Sequence, residues 1–233
     1  MKKVSAKEVE KLFEFARNHY VEYYDLQIEL VDHLACAIEE KWEKDDTISF
    51  EKALKDVFAE FGIFGFSDLV AERRKKIERK YFRLIKKCYW EHLQKKEYLA
   101  LMILYMIIQF GLALFVPKIT FIISVVLIYG LMLAQFVRLK INYKKKQKEI
   151  GYKLILVDVI YKNYHFICFS STIFNLLLQY YLMMNYSIVY INIILAITLP
   201  FIYLGIYIIC YFLPNKTDKI LDSFSPEYKL IKG

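Results

Sequence analysis

The hydrophobic pattern divides the chain into two regimes. Up to about residue 66, apolar positions recur at helical spacing among acidic ones. Val9, Leu12, Phe13 and Ala16 form one such stripe, and Ser5 with Glu8 makes a Ser-x-x-Glu capping box in front of it, so a helix is expected from Ser5 to about Asn18. Ile28, Val31, Ala35, Ile38 and Trp42, flanked by Leu30 and Leu34, define a second helix starting near Tyr24 or Asp25. Phe50, Ala53, Leu54, Val57, Phe58 and Phe61 define a third after Ser49, with Gly62 placed as its C-terminal cap. A fourth helix opens at Ser67. No Pro or Gly interrupts the pattern before Phe110, which predicts a basic stalk helix continuous with the first long apolar run.

From residue 98 the pattern changes. Residues 98–117 and 119–137 carry no charge, and 166–215 form an uncharged run of fifty. About 20 apolar residues carry a helix across a bilayer. These runs predict four crossings, at about 98–116, 119–137, 166–184 and 188–213, with Asn185-Tyr186-Ser187 as the turn inside the long run. Composition agrees: 57% of the residues are hydrophobic, where soluble domains hold nearer 45–50%. The mean hydropathy is +0.28. The expected architecture is all-α, a small helical cytoplasmic domain (1–66), a basic stalk helix (67–97) and a four-helix transmembrane region (98–215). A cytoplasmic loop (138–165) lies within that region, and a cytoplasmic tail (216–233) comes after it.

Charge orients this arrangement. The net +8 is made of −6 over residues 1–66, +6 over 67–97 and +8 over 98–233. Eleven Lys/Arg lie between Arg73 and Lys96, and eight more between Arg138 and Lys162, against Lys118 alone on the opposite side. Short loops rich in Lys and Arg stay on the cytoplasmic side. The expectation is therefore a multi-pass protein of the cytoplasmic (inner) membrane with both termini inside. Anionic lipid headgroups are the expected partners of segments 73–96 and 138–153. No nucleic acid is expected, because the basic residues flank apolar runs and no nucleic-acid motif accompanies them. Ile150, Leu154, Val157 and Tyr161 repeat at helical spacing, so the loop is expected to form an amphipathic helix lying on the inner leaflet or docked on the N-terminal domain.

Candidate chemistry is sparse. Asp25, Glu29 and His33 fall on one helix face at spacings of four, with Asp32 beside them. Carboxylates and an imidazole so placed have the chemistry to hold a divalent cation. The competing reading is the solvated face of an amphipathic helix, with His33 oriented by Glu29 or Asp32. The second reading is the expectation, so no metal, cofactor or catalytic residue is assigned. Cys36, Cys88, Cys168 and Cys210 form no CxxC pair and suggest neither a disulfide framework nor a zinc site. The apolar runs contain no ionisable side chain, which argues against a proton-coupled carrier. The amides Asn175, Gln179 and Gln109 are expected to bond between helices. No nucleotide-binding loop or nucleophile motif is present, and no enzymatic activity is expected.

Glu29-Leu30-Val31-Asp32-His33-Leu34, then Ser49-Phe50-Glu51-Lys52-Ala53-Leu54 and Phe61-Gly62, resemble the HAAS-type helical domain over about residues 20–66. That bacterial family places a short cytosolic helical module ahead of membrane segments. Ile63-Phe64-Gly65-Phe66 stands where the family has a Pro-containing step. The resemblance implies a signalling or regulatory module without enzyme activity. The expected function is a non-enzymatic regulatory, sensor or scaffold membrane protein that binds a partner through its N-terminal domain. The alternative is a small membrane transport (permease) component acting as a homo-oligomer.

Overall fold

The computed structural model describes residues 2–62, 65–162, 176, 179–180 and 188–224. Among them every regular element is helical: α1 Ala6–Asn18, α2 Tyr24–Lys44, α3 Phe50–Ala59, α4 Ser67–Leu93, α5 Lys96–Phe115, α6 Pro117–Ile150, α7 Ile155–Lys162, α8 Ile188–Tyr207 and α9 Thr217–Phe224. A π-helical turn, Ile208–Phe212, and a 3-10 turn, Pro214–Lys216, join the last two. Two compact units result. One holds the described residues up to Arg79, residues 147–158 and residues 218–224. The other holds Lys80–Lys146 and the described part of Val159–Thr217.

The first unit is built on the N-terminal helices. The Ser5 hydroxyl accepts from the Glu8 N–H, while the Glu8 carboxylate accepts from the Ser5 N–H at 2.8 Å. Two of the backbone donors that a helix start leaves without intrahelical partners are thereby satisfied. Leu12 and Ala16 are fully buried, and α1 packs on α2. The buried line of α2 is Leu26, Leu30, Leu34, Ile38 and Trp42, spaced by four, with Val31 beside it. Ile28 and Ala35, expected at its centre, are half-buried. The buried line is rotated from the expected stripe because periodicity does not separate Ile28 from Leu26, and the fit of two helices chooses the face. Trp42 is buried, at 3% exposure. Its ring meets Phe50 at 6.5 Å and its indole N–H donates to the Ile48 carbonyl at 2.9 Å.

After α3, Gly62 adopts φ +72 and Gly65 φ +52. A Cβ on Gly65 would meet the Phe58 ring at 3.1 Å, so this turn needs glycine for space as well as backbone. The turn delivers Phe66 into an aromatic nest with Phe15, His19, Phe58 and Phe61, with ring centroids 4.9–6.2 Å apart around it.

In the second unit α5 and α6 form a hairpin around Val116. The Gln109 amide donates to the Ser124 hydroxyl at 2.7 Å, and that hydroxyl donates to the Thr120 carbonyl. α8 packs on α5; Ile191, Leu195 and Leu199 form the core, with Tyr105, Phe121, Met132 and Tyr203 against it. Pro200 lies inside α8 and denies the Ala196 carbonyl its N–H partner. The Tyr98 hydroxyl donates to the Pro200 carbonyl, and the Tyr89 hydroxyl to that of Phe201.

Two helices among the described residues are long and apolar enough to cross a membrane: Lys96–Phe115 and the composite Val189–Phe224. They coincide with the first and fourth expected crossings. The expected second crossing, 119–137, falls within α6, some of whose side chains are not described. The third, 166–184, lies outside the described residues except at positions 176, 179 and 180. The stalk is not continuous with the first crossing: α4 ends at Leu93, and Lys95 is extended, with ψ 129, before α5 begins. Absence of Pro and Gly permits a long helix but does not enforce one. Here α4 stops where the polar Gln94-Lys95 step meets the start of the apolar run. The basic cluster Lys144–Lys148, expected in a loop, instead continues α6 to Ile150.

Candidate functional site

The start of α2 is where the first unit gathers its polar groups. Segment 151–158 returns to it from the other end of the sequence. The Tyr24 N–H donates to the Lys153 carbonyl at 2.8 Å, and the Ile155 N–H donates to Asp25 Oδ2 at 3.3 Å. The Tyr23 hydroxyl donates to Asp158 Oδ2 at 3.1 Å. Lys153 pairs with Glu22, and Tyr152 stacks on Tyr24 with centroids 4.2 Å apart. Gly151, at φ +77, turns the chain out of α6 into this joint. Leu154 through Asp158 are all buried behind it. Of the two placements expected for this segment, the structure has the one docked on the N-terminal domain.

Asp25 is the anchor. It is only 7% exposed, and its second carboxylate oxygen accepts from the Leu26 N–H at 3.1 Å. Burial pushes its pKa up from 3.8 to about 6, against the opposing pull of those N–H groups and of the Arg73 guanidinium.

One helical turn on, α2 faces α4 across an open groove of about 190 Å³ lined by Leu26, Glu29, Leu30, His33, Leu69, Glu72, Arg73 and Lys76. Its floor is leucine and its rim is charged. The Glu29 carboxylate sits 3.1 Å from an Arg73 guanidinium nitrogen, which ties the acidic helix to the basic one. At this level the first unit can present an apolar slot with one imidazole, two carboxylates and two cations around it.

The four candidate metal ligands are not drawn together. Glu29 and His33 share the groove, but Asp25 is turned to Ile155 and Glu29 is paired with Arg73. Asp32 and His33 are exposed, and Asp32 does not line the groove. Among the described residues no group of three or more His, Cys, Asp or Glu side chains is placed to hold a metal ion. Adding zinc or manganese to the purified protein is therefore expected to leave its thermal midpoint unchanged. Occupancy at 100 times the dissociation constant would stabilise by about 2.7 kcal/mol, a plain shift. Such a shift, abolished by His33→Ala, would restore the metal site.

Sequence reasoning offered docking of this segment on the N-terminal domain but not the residues that make the joint. Asp25 and Ile155 are 130 positions apart, and only Gly151 followed by the apolar run from Leu154 hinted that a chain turns there to be buried. No protein-family model matches this chain, and neither a curated protein nor a solved structure does.

Proposed function

We propose that this chain is a four-crossing protein of the cytoplasmic membrane, with both termini inside. Its helical N-terminal domain is a non-enzymatic regulatory module that binds a protein partner. One observation carries the topology. The described residues up to Arg79, residues 147–158 and residues 218–224 belong to one compact unit. Segments packed into one unit lie on one side of a bilayer. An excursion between them, 80–146 or 159–217, that enters the membrane then has to return to that side, which supports two crossings in each. The Lys- and Arg-rich stretches 73–96 and 138–153, which the positive-inside rule keeps in the cytoplasm, each run into one of these segments.

The regulatory reading draws on the joint. Segment 151–158 ends in α7, eight residues before the apolar run that begins at residue 166. A partner seated in the α2–α4 groove beside Glu29 and Arg73 would act on the helix that holds this segment through Asp25. The HAAS-type resemblance of residues 20–66 fits such a module, since that family couples a cytosolic helical domain to membrane segments.

Impermeant thiol labelling of spheroplasts tests the topology, in a chain whose native cysteines are replaced. Cysteines at Lys118 and Asn185 are expected to react from outside, and those at Lys145 and Lys229 only after lysis. Labelling of the second pair in intact spheroplasts would overturn the arrangement.

A further inference from the structure

We propose that the second half of α4 is an interfacial anchor. Its outward face, with Phe82 and Trp90 among Arg83, Lys86 and Lys87, lies in the headgroup layer of an anionic leaflet. The inference rests on the membrane reading above and adds to it the residues that make the contact.

The first observation is the make-up of the two faces. Tyr81, Cys88 and His92, spaced seven and four, share one side of α4 and are all buried. Phe82, Lys86 and Trp90, spaced by four, lie on the other, with Arg83 and Lys87 next to them around the helix. A face made for water has no use for large rings, yet Phe82 is 61% exposed and Trp90 52%. Rings interleaved with cations are the composition of helices that lie in a membrane interface. There the rings occupy the boundary between headgroups and acyl chains, and the cations reach phosphate.

The second observation is level. The Asn192 amide donates to the Pro117 carbonyl at one end of the α6–α8 pair. At the other end the Arg138 guanidinium lies 4.2 Å from the centre of the Tyr211 ring. The 21 residues of α6 between Pro117 and Arg138 rise about 31 Å, the thickness of a bilayer's hydrocarbon. Arg138 and Tyr211 thus mark one boundary, and Tyr207, stacked on Tyr211 at 5.4 Å, widens its aromatic band.

α4 meets the chain at this boundary. His92 packs 4.4 Å from Phe212 and 6.2 Å from Tyr207. Three residues earlier the Tyr89 hydroxyl donates to the Phe201 carbonyl at 3.2 Å. The last turns of α4 therefore pack on the C-terminal part of α8 and the turn after it, and the break at Gln94–Lys95 separates α4 from α5. With the Tyr81 side packed on protein, the Phe82 side faces headgroups.

The test uses the full chain in phosphatidylcholine vesicles, with and without phosphatidylglycerol, carrying bromine high on the acyl chains as a fluorescence quencher. The protein has two tryptophans, and Trp42 is buried in the other unit. Wild type is expected to be partly quenched, Trp90→Phe not at all, and Trp90→Phe with Phe82→Trp to the same extent as wild type. Quenching at position 82 is expected to fall when phosphatidylglycerol is omitted or when Arg83, Lys86 and Lys87 are changed to Gln. An unquenched tryptophan at 82 beside a quenched Trp90 means that α4 stands in water or against another protein, and overturns the anchor. Quenching at 82 that ignores phosphatidylglycerol overturns the role of the cations. Flotation of the vesicles after an alkaline carbonate wash keeps the two readings apart. A chain washed off the vesicles fails the membrane reading itself, whereas a retained chain with a silent position 82 fails only the anchor.

Discussion

Trp42→Ala is expected to cost the N-terminal unit about 3–5 kcal/mol, the usual range for removing a fully buried aromatic ring. The side chain closes the end of α2 against the start of α3. Its ring meets Phe50, the Lys2 ammonium lies 4.3 Å above it, and its N–H satisfies the Ile48 carbonyl in the connecting loop. Alanine leaves a cavity and also removes the donor that the Ile48 carbonyl uses. A loss of that size is comparable to the whole stability of a small domain. Amide hydrogen exchange on the detergent-solubilised chain reads it directly. Protection across α1 to α3 should collapse, while α5 and α8 in the other unit keep theirs. Trp42→Phe retains most of the packing but not the donor, so it should fall between the two. Unchanged protection of α3 in Trp42→Ala would mean that the ring does not hold the α2–α3 corner.

The local grammar of the first unit was legible because its signals are local. Ser5 with Glu8 and Ser49 act within one helical turn, and α1 and α3 start at the next residue; Gly62, expected as the cap of α3, lies three residues past its end at Ala59, where Glu60 is the cap. The face of α2 was less legible. Ile28 and Leu26 are equally apolar to a periodicity argument, and only the partner helix decides which line is buried. The break at Gln94–Lys95 had no breaker residue to announce it. Least legible was the Asp25–Ile155 joint, which depends on a backbone N–H, a group every residue but proline carries and no composition reveals. The same joint explains why the acidic face around Asp25 looked like ligand chemistry. A carboxylate at a helix start can bind a cation or accept N–H groups, and the sequence pattern is identical for both. Its occupation by Ile155 and Leu26 removes Asp25 from the candidate ligand set.

Asp25 should also make the joint respond to pH, and its burial sets the direction. The carboxyl titrates near 6 in the folded unit against an ordinary 3.8. The folded state therefore holds the proton more tightly than the unfolded one. The stabilisation linked to that proton is fully present below pH 4 and is lost as pH rises through about 6. A difference of roughly two pKa units corresponds to about 3 kcal/mol. The charges around Asp25 are Glu22 from the connection before α2, Glu29 from α2, Arg73 and Arg74 from α4, and Lys153 and Asp158 from the docked segment. Within this set the Arg73 guanidinium lowers the Asp25 pKa, but less than burial raises it. Asp25→Asn removes the titration and keeps the size. The gap in thermal midpoint between Asp25→Asn and wild type, measured from pH 4 to pH 7.5, should therefore move in favour of the variant as pH rises, most steeply between the ordinary 3.8 and about 6, and level off above that. Protection of the Ile155 amide, corrected for its intrinsic exchange rate, should take the same course in wild type. Asp25→Ala should expose that amide at every pH, because a buried donor without an acceptor costs about 1–3 kcal/mol. A gap that stays constant across the range would show that Asp25 titrates as an ordinary surface carboxylate. The joint would then be held by Tyr23, Tyr24 and Lys153 without it.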